Sequence, residues 1–67
     1  MNKKLAVKLA SEAVKYVDPK HPIDVYDCVV LYQNEDGSYA VCDNGEEIPC
    51  FSRIDAERMI VANLLHK

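Results

Sequence analysis

The chain is poor in the residues that most often carry chemistry. It has two glycines, Gly37 and Gly45, well separated, so no glycine-rich loop can cradle a phosphate or follow a cysteine as an oxyanion site. Its three cysteines, Cys28, Cys42 and Cys50, are odd in number and contain no Cys-x-x-Cys pair, which makes a poor disulfide framework. No stretch approaches the roughly 20 apolar residues of a membrane span. The start, Met1-Asn2-Lys3-Lys4, turns at once into an amphipathic pattern and lacks the continuous apolar run of a secretory leader. Free cysteines without a leader are expected in a reducing, cytoplasmic compartment. From Asp24 to Glu47 there is no Lys or Arg at all, against seven carboxylates.

What is present suffices for one small core. The 67 residues, 49% of them hydrophobic, predict a single domain spanning 1–67. A domain of this size buries only about 60% of its unfolded surface, so its stability is marginal. The formal net charge of −3 is unevenly spread. Residues 1–17 carry Lys3, Lys4, Lys8 and Lys15 against Glu12, whereas residues 18–67 carry four basic residues against ten acids. The chain therefore reads as a basic leading helix joined to an acidic centre.

Periodicity gives the element order. Leu5, Ala6, Leu9, Ala10, Ala13, Tyr16 and Val17 recur at helical spacing and predict a helix over 3–17, ended by Asp18-Pro19. Residues 24–33 are rich in β-branched and aromatic side chains and predict one long strand. Tyr39–Asp43 follows a glycine turn, and Asn44-Gly45 is a strong hairpin signal leading into Glu46–Phe51. Pro49 cannot donate to a ladder, which places that strand at an edge. Ser52 with Asp55 caps a closing helix over 53–66, whose inner stripe is Ala56, Met59, Ile60, Asn63 and Leu64. The expected fold is α+β, a three-stranded antiparallel meander with N- and C-terminal helices.

Turn lengths also predict register. A two-residue turn at Asn44-Gly45 pairs Val41 with Ile48, and a three-residue turn at Glu35-Asp36-Gly37 pairs Leu31 with Val41. One sheet face then collects Val29, Leu31, Tyr39, Val41, Ile48 and Cys50 as the core face. The other collects Tyr26, Cys28, Val30, Tyr32, Ala40, Cys42, Pro49 and Phe51 and is too apolar to stand in water. Either the first helix covers it or a second copy does. The expectation is a homodimer with Tyr26, Val30, Tyr32 and Phe51 at its interface.

No catalytic or metal site emerges. Cys28, Cys42, Cys50, His21 and His66 lack the close ligand pairs of a zinc knuckle, and the cysteines read as small buried hydrophobes. His21 and Cys28 both lie near the first strand, but no Asn or Asp is clearly placed to orient the imidazole. Carboxylates on hairpin turns are too exposed for general acid–base work. No enzyme activity and no cofactor is expected. Residues 24–66 resemble in topology the small sheet-plus-helix modules that bind duplex DNA, but acids on the strands would repel phosphate.

The remaining reading is a small acidic protein-binding module. Its hairpin acids Glu35, Asp36, Asp43, Glu46 and Glu47 would meet a basic surface of a partner protein, as an inhibitor occupying a nucleic-acid-binding site would do. In size and charge such a chain resembles small acidic proteins of phages and mobile elements. The alternative is weak nucleic-acid binding through Lys4, Lys8 and Lys15 of the first helix, which the net negative charge opposes.

Overall fold

The computed structural model describes residues 1–66; Lys67 lies outside the described residues. Helix α1 (Lys3–Tyr16) leads into strands β1 (Ile23–Tyr26), β2 (Val29–Gln33), β3 (Tyr39–Asp43) and β4 (Glu46–Cys50), and helix α2 (Arg53–Leu65) closes the chain. The strands form one antiparallel sheet in the order β1-β2-β3-β4. The class is α+β as expected, but the sheet has four strands rather than three.

The extra strand arises at Asp27-Cys28. The predicted strand 24–33 folds back there, with Tyr26 opposite Val29 and Asp24 opposite Val30, and the register slips at Val25. Cys28 adopts φ +70, a left-handed conformation that L-residues other than Asn and Asp seldom take. Its carbonyl accepts a hydrogen bond from the Asn44 amide at 3.1 Å.

The other two turns follow the sequence. Asn44 and Gly45 have φ +53 and +82, the pattern of a type I′ turn. Val41 pairs with Ile48 and Tyr39 with Cys50. Leu31 pairs with Val41 and Val29 with Asp43, around a turn in which Gly37 takes φ +92. The Asp43–Glu46 pair closes a two-residue hairpin, so alternation along the ladder puts Ala40 opposite Pro49 at a non-hydrogen-bonded position. Pro49 therefore removes no ladder bond and takes one donor off the outer edge of β4.

Both helices lie on the same face of the sheet. The core joins Ala6, Ala10, Ala13, Val14 and Val17 of the α1 side to Val29, Leu31, Val41 and Cys50 of the sheet and to Ala56, Ile60 and Leu64 of α2. Alanines at i, i+4 and i+7 along α1 let its backbone approach closely. The buried stripe is thus rotated from the expected one, and Leu5 and Tyr16 are exposed. Tyr16 instead lies under the Lys15 ammonium, 5.6 Å from the ring centre. Asn2 caps α1 by accepting from the Leu5 amide at 2.8 Å, and Ser52 caps α2 by accepting from the Asp55 amide at 3.1 Å. The second helix ends at Leu65, with His66 as its C-cap. No helix among the described residues is long and apolar enough to cross a membrane.

Candidate protein-binding surface

Because the helices share one face, the opposite face of the sheet is uncovered. Its side chains form two rows across the strands. In the first, Asp24, Val30, Cys42 and Glu47 stand side by side, one from each strand. Three strand spacings separate its terminal carboxylates, roughly 14 Å. In the second row Tyr32, Ala40 and Pro49 are neighbours. Ala40 is only 3% exposed, yet it stands apart from the core cluster, because Tyr32 and Pro49 flank it on the open face. Tyr32 is 42% exposed, and Val30 is half-buried. Aromatic rings with free hydroxyls on a partly wet surface are the side chains that most often anchor protein interfaces.

The sheet brings together only part of the expected acidic set. Successive turns of a meander lie at opposite ends, and a five-residue strand separates them by about 17 Å. Asp43, Glu46 and Glu47 gather at the end where β3 turns into β4, while Glu35 and Asp36 sit at the far end. The five acids therefore do not form one patch. At the first end they are joined by Asp27 of the β1–β2 turn and by Asp24, which lines a shallow surface with Tyr26, Asp27 and Cys28. The sequence reading does not place these two acids in the candidate set. A ten-residue strand, against a usual five or six, was the available signal that a turn lay inside it.

Asp36 has a local role. Its carboxylate accepts from the Ser38 hydroxyl at 2.7 Å and the Ser38 amide at 2.9 Å. Those bonds, the hydroxyl first, hold its pKa below the ordinary 3.8. The turn is completed by Asn34 donating to the Ser38 hydroxyl at 2.9 Å.

Phe51 does not join the row of Tyr32, Ala40 and Pro49. It is 81% exposed just beyond β4 and lines a shallow cleft with Pro49, Asp55 and Met59 at the α2 side of the sheet. Of the four expected interface residues, the ladder sets Val30 and Tyr32 on the open face, while Tyr26 pairs beyond the bulge with Val29, a core-face position.

The cysteines and histidines are dispersed. Cys50 is buried in the core, and burial, with Asp55 nearby, pushes its thiol pKa up. Cys42 is half-buried and Cys28 is exposed, so the cysteines are not three buried hydrophobes. Contrary to the sequence reading, His21 has an acid partner. Its Nδ1 lies 2.9 Å from both carboxylate oxygens of Asp18, which also accepts from the Lys20 amide at 2.8 Å. The imidazole contact, then the amide, holds Asp18 below 3.8. However, His21 precedes β1 and Cys28 follows it, so the strand's length, about 13 Å, stands between them. Among the described residues no group of three or more His, Cys, Asp or Glu side chains could hold a metal ion.

Compared with protein-family models, curated proteins and solved structures, the chain matches none of them.

Proposed function

We propose that the chain is a non-enzymatic protein-binding module that sets the open face of its sheet against a basic surface of a partner protein. The observation that carries this reading is the pairing of an uncovered, tyrosine-bearing sheet face with a rim of one charge sign. Asp24 and Glu47 flank Val30 and Cys42 in the row beside Tyr32, Asp27 and Glu46 stand at the adjoining turns, and no Lys or Arg occurs between Asp24 and Glu47. The eight basic residues all lie in the helices, the α1–β1 loop or the C-terminal residue. A partner suited to the face has an apolar centre ringed by Lys and Arg, which is the chemistry of a nucleic-acid-binding surface. Carboxylates spaced across the sheet would then occupy phosphate positions, making the module an inhibitor. A second copy suits this face poorly, because face-to-face pairing would bring like charges together.

The test is affinity capture from the native host with tagged wild type, with Asp24→Lys/Glu47→Lys, with Tyr32→Asp and with Lys4→Glu/Lys8→Glu. The expected result is a basic protein captured by wild type and by the lysine variant, lost with both sheet-face variants, and displaced by duplex DNA or RNA. Capture indifferent to the sheet-face changes would overturn the proposal. Direct binding of bare duplex DNA that vanishes in the lysine variant would favour the basic helix instead.

A further inference from the structure

We propose that the helix layer pairs with the helix layer of a second copy across a two-fold axis, burying an outer stripe of α2 and leaving the sheet faces outward. The motive is that α2 is apolar on two sides. Its inner side, Ala56, Ile60 and Leu64, is fully buried in the core. Its outer side presents Ile54, 58% exposed, with Leu65 also exposed and Val61 half-buried. With Val7 of α1 these residues line an open groove of about 450 Å³. A helix apolar on both sides is ordinarily covered on both sides.

Spacing and charge both point to a second copy as the cover. Ile54, Arg58, Val61 and Leu65 are separated by four, three and four residues, the alternation of a helix–helix seam. A two-fold axis through the midpoint of this stripe sets Ile54 of one copy against Leu65 of the other, and the aliphatic stem of Arg58 against Val61. The groove rim carries both signs, Lys3 and Arg58 against Glu57. Glu57 of one copy then falls about 6 Å along the axis from Arg58 of the other, within reach of both side chains. Glu57 already lies 3.7 Å from Arg53 of its own helix, so the new contact would extend an existing pair. An isologous interface must be complementary to itself. The mixed-sign helix face satisfies that condition, and the single-sign sheet face does not.

The experiment is sedimentation or light scattering of the full chain from about 1 µM to about 1 mM, a range that brackets weak and moderate dimers. The wild type is expected to dimerise. Ile54→Glu/Leu65→Glu should weaken the dimer by at least about tenfold, while Tyr32→Glu leaves it unchanged. A wild type monomeric throughout, or a dimer lost in Tyr32→Glu and retained in the helix variant, overturns the proposal. Should the double variant lose its helical circular dichroism, Glu57→Arg provides the second arm. It leaves the groove rim all basic, so its dimer should be weaker than wild type at low salt and recover as salt rises. A Glu57→Arg dimer as strong as wild type at low salt rejects the interface.

Discussion

The hairpin at Asp27-Cys28 can be tested by replacing a single side chain with two others of opposite preference. Cys28 has φ +70 and an exposed side chain, so a change there removes little burial. An L-residue in the left-handed region is disfavoured by about 1–2 kcal/mol, and glycine escapes that penalty. Glycine also gains freedom in the unfolded chain, which takes back about 0.4–1 kcal/mol. Cys28→Gly should therefore stabilise the fold by about 0.5–1 kcal/mol. Domains of this size shift by about 4–8 °C per kcal/mol, so the melting temperature should rise by roughly 2–8 °C. Cys28→Val should do the opposite, because a β-branched side chain resists positive φ. If residues 24–33 ran as one continuous strand, the order would reverse, with valine favoured over glycine by about 1 kcal/mol. Thermal unfolding followed by circular dichroism distinguishes the two. A valine variant that melts above the glycine variant would refute the turn and with it the fourth strand.

Acid pH and thiol chemistry supply further checks. Asp18 and Asp36 have pKa values lowered in the folded state, so their contributions are present above about pH 4 and are lost as pH falls through the lowered values. Carboxyl NMR should find Asp36 titrating below an ordinary aspartate, and Ser38→Ala should move it back up, because the hydroxyl is its largest hydrogen-bond partner. An Asp36 titration unmoved by Ser38→Ala would contradict the turn network. Under native conditions a maleimide should modify Cys28 first, Cys42 more slowly and Cys50 only on unfolding, following their exposed, half-buried and buried positions. Rapid labelling of Cys50 would mean that β4 does not seat against α2 as described.

Register was legible because turn chemistry fixes it. Asn44-Gly45 admits essentially one hairpin geometry, and Gly37 sits where a three-residue turn needs positive φ, so the core face could be assigned residue by residue. The Asp27-Cys28 turn was illegible for the complementary reason. It contains neither glycine nor asparagine, and the propensities of Val25, Tyr26, Val29 and Val30 on either side all favour extended chain. The α1 stripe departs from the expected one because of side-chain size. Leu5 and Tyr16 are more hydrophobic than Ala6, Ala10 and Ala13, but close packing of α1 against α2 and the sheet selects the small residues.

The candidate site depended on an argument that residue order alone does not supply. Neighbouring acids in the chain are neighbours in space only when they share an end of the sheet, and in a meander that depends on turn parity. The first and third turns share an end, so Asp27 joins Asp43 and Glu46, while Glu35 and Asp36 of the second turn are left at the other. The fourth strand, unrecognised in the sequence, also moves Asp24 from the unpaired end of the expected first strand to the opposite edge of the open face from Glu47. An acid at each edge with Val30 and Cys42 between is a surface that can engage a concave basic partner on both sides of an apolar centre. With three strands the same face would have been one spacing narrower, roughly 5 Å, and without its Asp24 border. The strand that was hardest to read is therefore the one that gives the proposed binding face its width and its second charged edge.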